Sequence, residues 1–279
     1  MTAKTKPSSS SVSKQTAASE SRDVILWAAR TQQNKRDQIA QECAIALVYN
    51  GISHAVMMAS PNDLTEFAIG FSLTESVITS AEQIYSVEQQ VTEKGIELEI
   101  EISAAQFAAL KHKRRQLSGR SGCGLCGVES LEQVLGNAAQ VGSSIKVSHN
   151  AIQKALASLS SNQQLQSITG ATHCAAWCDT NGKILLIRED IGRHNALDKL
   201  IGALERQQVN KAQGFVTVSS RASYEMVQKV ASVGIELLVA VSSATTLAID
   251  VANQSGVTLV GFAREGRHIV YVHPQRLVD

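Results

Sequence analysis

Apolar positions change their period near residue 142, and the change divides the chain into two differently built parts. In the first part, β-like runs fill residues 38–60 on either side of Asn50-Gly51. That dipeptide suits a tight hairpin because both residues tolerate positive φ. Asn62 is placed to cap a helix running through Ile78, with Leu64, Phe67, Ala68 and Phe71 at helical spacing. A second hairpin is expected from 84–91 and 96–102 around Glu93-Lys94-Gly95. The basic run Lys111-His-Lys-Arg-Arg115 and a glycine-rich stretch come next. Ser130 with Gln133 then forms a capping box for a short segment.

In the second part a helix over about 148–159 leads to a strand at 172–178, a turn at 179–182 and a strand at 183–188. Helices 196–206, 223–233 and 246–252 then alternate with strands 215–219, 237–242 and 258–262, and a last strand covers 268–273. Strands separated by short helices predict an α/β sheet with helical crossovers. The expected organisation is a disordered polar tail (1–21), a smaller α+β lobe (22–142) and an α/β domain (143–279) that binds a cofactor.

Ligands of such a sheet sit outside the carboxyl ends of its strands. Four segments fall there: Glu189-Asp-Ile-Gly-Arg-His-Asn195, Ser219-Ser-Arg-Ala-Ser223, Ser242-Ser-Ala-Thr-Thr246 and Phe262-Ala-Arg-Glu-Gly-Arg267. Any one of them alone is an ordinary polar loop or cap. Together their hydroxyls, arginines and helix starts favour an anionic ligand. Within the first segment His194 is equally a general acid–base or a structural hydrogen bonder. Asn195 with Asp198 makes a good capping pair, and Arg193 is free to pair with an acid.

An apolar content of 44% and a charged content of 18% in 279 residues are those of a soluble globular protein. No apolar run reaches the length of a membrane span and the N-terminus has no signal-like apolar core, so a cytoplasmic protein without membrane association is expected. A net charge of +1 supplies no global field for nucleic acid, so no nucleic-acid partner is expected and any anion site is local.

The five cysteines are too scattered for a disulfide framework. Cys43 lies in an apolar run and reads as a small core residue. Cys174 and Cys178 share a strand, roughly 13 Å apart at the rise of extended chain, too far for a disulfide or a common metal. Cys123 and Cys126 differ: they form a Cys-x-x-Cys pair within Ser118-Gly-Arg-Ser-Gly-Cys-Gly-Leu-Cys-Gly127, just after the basic run. Nearby positive charge favours the reactive thiolate, and glycines give the loop freedom. The coincidental Gly-x-Gly-x-x-Gly lacks the preceding strand of a dinucleotide fingerprint. Structural zinc needs more ligands than one knuckle offers, and would have to recruit His173 or His194 from a distance. Zinc-deaminase chemistry lacks its His-x-Glu, and a thioredoxin-like dithiol lacks a helix opening directly from the pair. A persulfide carrier fits these residues better than either.

Taken with the cysteine loop, the strings Glu-Asp-Ile-Gly-Arg-His-Asn-Ala-Leu-Asp-Lys199, Ser-Arg-Ala-Ser-Tyr-Glu225 and Leu-Val-Gly-Phe-Ala-Arg264 resemble those of the formate dehydrogenase accessory sulfurtransferases, the FdhD family, over about 36–276. The resemblance implies a cytoplasmic homodimer with a cytidine-deaminase-like C-terminal α/β domain. It also implies a persulfide relay from a cysteine desulfurase to the molybdenum bis(molybdopterin guanine dinucleotide) cofactor, before insertion into formate dehydrogenase apoenzyme. By motif, Cys123 resembles the persulfide cysteine and Cys126 its partner, while Phe262, Ala263, Arg264, Glu265, Gly266 and Arg267 match the cofactor-binding stretch. Arg193, His194, Ser220, Arg221 and Ser223 complete the expected cofactor site, and no metal is assigned to the protein itself. Three positions depart from the family pattern, with Ser76, Ala171 and Ser220 standing where glycine is usual. The first two concern turns, whereas Ser220 sits in the expected phosphate loop.

Overall fold

In the computed structural model, residues 17–28, 30–118 and 139–279 are described, with backbone alone for 113–118. Cys123, Cys126 and the Ser130–Gln133 capping box lie outside them. The polypeptide stacks in layers. A four-stranded sheet in the order β4-β3-β6-β5 is built from β3 (Cys43–Tyr49), β4 (Ile52–Ala59), β5 (Ile84–Thr92) and β6 (Gly95–Ile102). Helix α1 (Leu64–Thr74) packs on one face of it through Leu64, Phe67, Ala68 and Phe71.

The second sheet has six strands in the order β13-β12-β11-β10-β8-β9. They are β8 (His173–Asp179), β9 (Ile184–Asp190), β10 (Gly214–Val218), β11 (Leu237–Ala240), β12 (Thr258–Arg264) and β13 (Arg267–Val272). β10, β11 and β12 run parallel, while β8, β9 and β13 are joined antiparallel to their neighbours. Helices α5 (Arg193–Arg206), α6 (Tyr224–Ser232) and α7 (Thr246–Ser255) put their apolar residues into the core on one face, and α3 (His149–Asn162) packs on the other. One continuous core joins the small sheet, α1, α5 and α6 to the inner face of the large sheet, where Trp177 is almost fully buried.

The α1–α5 crossing is unusually close because it is glycine against backbone. A Cβ on Gly70 would sit 1.8 Å from the Asp198 carbonyl oxygen, and one on Gly202 1.9 Å from that of Glu66. α5 is thereby held against α1 along its length, which matters because its first turn carries Arg193 and His194.

Several expectations change. Asn62 does not cap α1. The cap position is Asp63, in left-handed conformation (φ 53°) without a side-chain cap. The Asn62 amide instead donates to the Asp63 carboxylate at 2.8 Å. α1 stops at Thr74 rather than Ile78, because Ser76 turns left-handed (φ 54°) and the amides of Val77 and Ile78 return to the Ser72 carbonyl. Asn195 and Asp198 are not a capping pair: Gly192 caps α5, and both side chains are buried within the helix. The basic run lies on α2 (Ala104–Ser118). A short α4 (Gln164–Thr169) precedes β8. β1 (Ser19–Ala28) and β2 (Thr31–Ala40) form a long hairpin that takes in Ser19–Ser21, which the sequence reading places in the tail. β7 (Val147–Ser148) and β14 (Leu277–Val278) pair in parallel where the C-terminus returns.

Candidate functional site at the strand ends

The parallel run of β10–β12 sends their following loops to one edge of the sheet, where β9 also ends and β8 begins. Backbone hydrogen bonds stitch these loops into a row. Ser242 N donates to Ser220 O (3.3 Å), Ala222 N to Ser243 O (3.1 Å) and Phe262 N to Ser242 O (2.9 Å). The fourth segment joins through side chains: His194 Nε2 lies 2.9 Å from Glu225 Oε2 and 3.5 Å from Ser223 Oγ. All four segments singled out in the sequence therefore share one edge.

The edge is cationic and rich in hydroxyls. Arg193 Nε is buried without a hydrogen-bond partner among the described residues, an unmet donor in the first turn of α5. His173, at the start of β8, has its pKa lowered by burial and then by the nearby positive charge of Arg193 and His194. Its Nδ1 lies 3.4 Å from Ser219 Oγ, which accepts from the Cys174 amide at 2.9 Å. The hydrogen bond from His194 holds the Glu225 carboxyl below its usual range, so Glu225 stays ionised on the rim. Among the expected ligands, Arg221 is exposed while Ser220 is buried with its hydroxyl donating to the Arg221 carbonyl at 2.9 Å.

The stretch Phe262–Arg267 spans a bulge at the end of β12 and the turn into β13. Phe262 is left-handed (φ 46°), a costly conformation for an aromatic residue, and 37% exposed. With Arg267, His268 and Ile269 it lines a cleft of about 290 Å³. Ala263 points the other way, into the core under α3, so it positions the stretch rather than facing solvent. Arg264, Glu265, Gly266 and Arg267 are exposed. Gln153 of α3 fastens the turn by accepting from Gly266 N at 2.8 Å. Its amide NH₂ then faces His268 Nδ1 (3.0 Å), which must accept, leaving His268 Nε2–H to donate to His149 Nδ1 at 2.7 Å. The two imidazoles stack with centroids 4.9 Å apart. Burial and the second ring both lower the His268 pKa, which favours its neutral form.

Beneath the edge, Asp190 and Lys199 form a fully buried ion pair (2.7 Å). Asp190 also accepts from the amides of Ser60 (2.9 Å) and Gly192 (2.7 Å) and from Asn195 Nδ2 (3.0 Å). Asn195 Nδ2 reaches on to the Met58 carbonyl at 2.8 Å, so the end of β4 holds the start of α5. Further along, Lys229 of α6 bridges Asp198 of α5 and Thr74 and Glu75 at the end of α1. Burial opposes the Lys229 charge, but the two carboxylates outweigh it and hold its pKa above the ordinary value. The Glu189 carboxylate is engaged by α4 and by the Thr172 hydroxyl at 3.2 Å. It caps α4, accepting from the amides of Leu165 and Gln166 at 2.8 Å each.

Three cysteines are described. Cys174 and Cys178 are buried on β8, and burial pushes both thiols up to about 12. Cys43 is half-buried against the core and its thiol is also raised by burial. Among the described residues no group of three or more histidine, cysteine or acidic side chains could hold a metal. No described helix is long and apolar enough to cross a membrane. The cysteine-bearing segment leaves from the end of α2 and re-enters where Val141 N donates to Ser255 O (2.9 Å), at the C-terminus of α7 and thus at the edge opposite the strand ends.

The layers and the strand-end loops define an α/β protein whose strand-end edge carries arginines and hydroxyls, joined to a smaller antiparallel-edged sheet. The chain belongs to the FdhD/NarQ family, whose model matches residues 40–278. It is 53% identical over 241 residues to the sulfur carrier protein FdhD of Cupriavidus necator, covering 86% of this chain and 84% of that one. It is 47% identical over 244 residues to the protein of the same name from Variovorax paradoxus, covering 88% of each. The fold matches a crystal structure of a provisionally assigned formate dehydrogenase accessory protein from Desulfotalea psychrophila, with a TM-score of 0.74, 23% identity, and coverage of 94% of this chain and all of that one.

Proposed function

We propose that the chain is a sulfur carrier for formate dehydrogenase maturation. In this reading it accepts sulfur from a cysteine desulfurase as a persulfide on Cys123. It delivers that sulfur to the molybdenum bis(molybdopterin guanine dinucleotide) cofactor, bound as cargo at the strand-end edge, before the cofactor enters the formate dehydrogenase apoenzyme. The observation that carries the reading is the contrast between thiols. The described cysteines are held protonated by burial, whereas Cys123 and Cys126 follow the run Lys111-His-Lys-Arg-Arg115, whose positive charge favours thiolate. The curated relatives' name, sulfur carrier protein, supports it.

The chemistry balances without further groups on the loading side. The Cys123 thiolate attacks the outer sulfur of the desulfurase persulfide, the S–S bond breaks, and the desulfurase cysteine leaves as thiolate. In delivery the acceptor attacks the same outer sulfur and Cys123 departs as thiolate. Alternatively Cys126 attacks Cys123 Sγ and expels hydrosulfide, leaving a disulfide that a dithiol reductant must reset. Such cycling needs a reducing compartment, which agrees with a cytoplasmic setting. At the edge, the unmet Arg193 donor suits a phosphate of the cargo, with His173, His194 and Arg221 adding positive or polar surface. The exposed Phe262 ring and its cleft suit a stacked guanine, flanked by Arg264 and Arg267.

Incubation with a desulfurase and cysteine should add the mass of one sulfur atom, removable by dithiol reductant, and Cys123→Ala should abolish it. No adduct, or one unchanged in both Cys123→Ala and Cys126→Ala, would refute the carrier role. Stoichiometric zinc lost on replacing Cys126 would instead support a cofactor-binding chaperone with a structural pair.

A further inference from the structure

We propose that Gln153, His268 and His149 form a proton-sensitive latch behind the Phe262 cleft, and that one proton added to either imidazole loosens the cleft's hold on a flat purine base. The inference rests on the reading of Phe262–Arg267 as the base site of the cargo, and adds the residues that position it. The register of β12 and β13 puts the latch at the cleft. Gly261 pairs with Ile269 and Arg264 with Arg267, so Phe262 and Ala263 together stand opposite the single residue His268. Such a bulge re-aims a side chain, and here it exposes Phe262 in left-handed conformation (φ 46°). A strained backbone persists only where its surroundings fix it. On one side the Phe262 amide donates to the Ser242 carbonyl at 2.9 Å. On the other, β13 is held at His268 and the turn at Gly266, and both contacts converge on Gln153 of α3.

The three side chains satisfy one another in one protonation state only. The Gly266 amide can only donate, so it fixes Gln153 Oε1 as its acceptor at 2.8 Å and leaves the Gln153 NH₂ for His268 Nδ1. His268 Nδ1 is then bare and Nε2 protonated, which makes His149 Nδ1 the acceptor at 2.7 Å. A proton on His268 Nδ1 would meet the Gln153 NH₂, donor against donor. A proton on His149 Nδ1 would meet His268 Nε2–H in the same way, and moving the His268 proton to Nδ1 recreates the first clash. Rotating the Gln153 amide only turns its NH₂ against the Gly266 N–H. Every singly protonated form therefore forfeits one link of the chain between α3 and the turn.

The surroundings supply little to offset an added charge. Lys146, Lys154, Lys183, Arg264 and Arg267 on the adjoining elements are exposed, as is Glu265 in the turn. Asp179 lies in the β8–β9 turn, which approaches α3 at Ala151, and its carboxylate is taken by the amides of Asn181 and Lys183. Among the described residues no ion pair joins either imidazole to a carboxylate. Burial and the neighbouring ring hold the His268 pKa below its ordinary 6.5, in keeping with a chain that rests neutral and opens as pH falls through that lowered value.

The test compares the full-length wild type with Gln153→Glu. A glutamate accepts both from Gly266 N and from a protonated His268 Nδ1, so its chain stays joined in acid. Relative to that variant, wild type should lose about ten-fold in affinity for guanosine diphosphate between about pH 7.5 and about pH 5.5, the value of one hydrogen bond, as read by calorimetry. Titration at His173 and His194 is common to both proteins and cancels in the ratio. Gln153→Met keeps the bulk but removes both contacts, and should bind weakly at either pH. Without nucleotide, the exchange protection of the Gly266 amide, followed by NMR, should fall on acidification in wild type and hold in Gln153→Glu. Equal pH profiles in these two proteins, or Gly266 protection independent of pH in wild type, would overturn the latch. Absence of nucleotide binding at both pH values would count against the cargo reading, while the exchange profiles would still decide the latch.

Discussion

Replacing Lys199 by methionine removes one partner of an ion pair in which both side chains have zero exposure. Breaking such a pair costs about 3–5 kcal/mol, because the surviving charge stays buried. The Asp190 carboxylate would keep three donors, the amides of Ser60 and Gly192 and the Asn195 side chain, so Lys199→Met should fall near 3 kcal/mol. Asp190→Asn is expected to cost more, about 5 kcal/mol, since Lys199 would retain only the Ser60 carbonyl (2.9 Å) and Asn62 Oδ1 (3.4 Å). The double variant leaves no charge uncompensated and should be less destabilised than the sum of the two, by about 3 kcal/mol. Urea unfolding followed by tryptophan fluorescence measures all three, and the midpoint of Lys199→Met should fall by about 1 M or more. Single costs under about 1 kcal/mol, or strict additivity in the double variant, would show that the pair does not hold the start of α5.

Arg193→Gln should weaken binding of guanosine diphosphate about ten-fold or more in calorimetry, the value of one charge-assisted hydrogen bond, while leaving the unfolding midpoint nearly unchanged. Gly202→Ala would place a methyl group 1.9 Å from the Glu66 carbonyl oxygen and should cost about 3 kcal/mol in the same urea assay. His268 has a folded pKa below its unfolded 6.5, so the unfolded chain binds more protons between those values and stability falls as pH drops through that window. Thermal melts should show this slope, and His268→Gln should flatten it. In that variant Gly266 should also exchange its amide proton faster, because the chain from Gln153 is interrupted.

Much of the fold is legible in the sequence because strand and helix periods are strong where each element has one buried face. The hairpin around Asn50-Gly51 and the alternation past residue 142 fall within a few residues of their expected bounds. The β1–β2 hairpin escapes detection because Thr31-Gln-Gln-Asn-Lys-Arg-Asp37 has no apolar alternation and no buried face to impose one. α2 escapes because its basic run reads as loop flank, although lysine and arginine are good helix formers. Asn62 looks like a cap by residue type, yet Asp63 and the buried ion pair engage its side chain instead.

At the site, the strand-end rule brings the four loops together without knowledge of sheet order. It misses His173, since only the antiparallel placement of β8 beside β10 brings a strand start to the same edge. It also misses Glu225, Gln153 and His268, whose roles depend on contacts across 31, 113 and 115 residues or more of chain.

The two buried ionic clusters flank α5 at Asp190–Lys199 and at Asp198–Lys229, and both connect it to elements that precede the cysteine segment, namely the end of β4 and α1. Apolar side chains of similar size would fill the same space at no loss of stability and often with a gain. They would hold the helix at its distance but not fix its rotation, because apolar packing is non-directional. A slip of one residue turns an α-helix by about 100°. It would carry Arg193 and His194 away from Ser223 and Glu225. Hydrogen bonds to the Ser60 amide and carbonyl, to Gly192 and to Thr74 admit one rotation only. The ion pairs thus set the orientation of the first turn of α5, and with it the direction in which the Arg193 donor and the His194 ring face the strand ends.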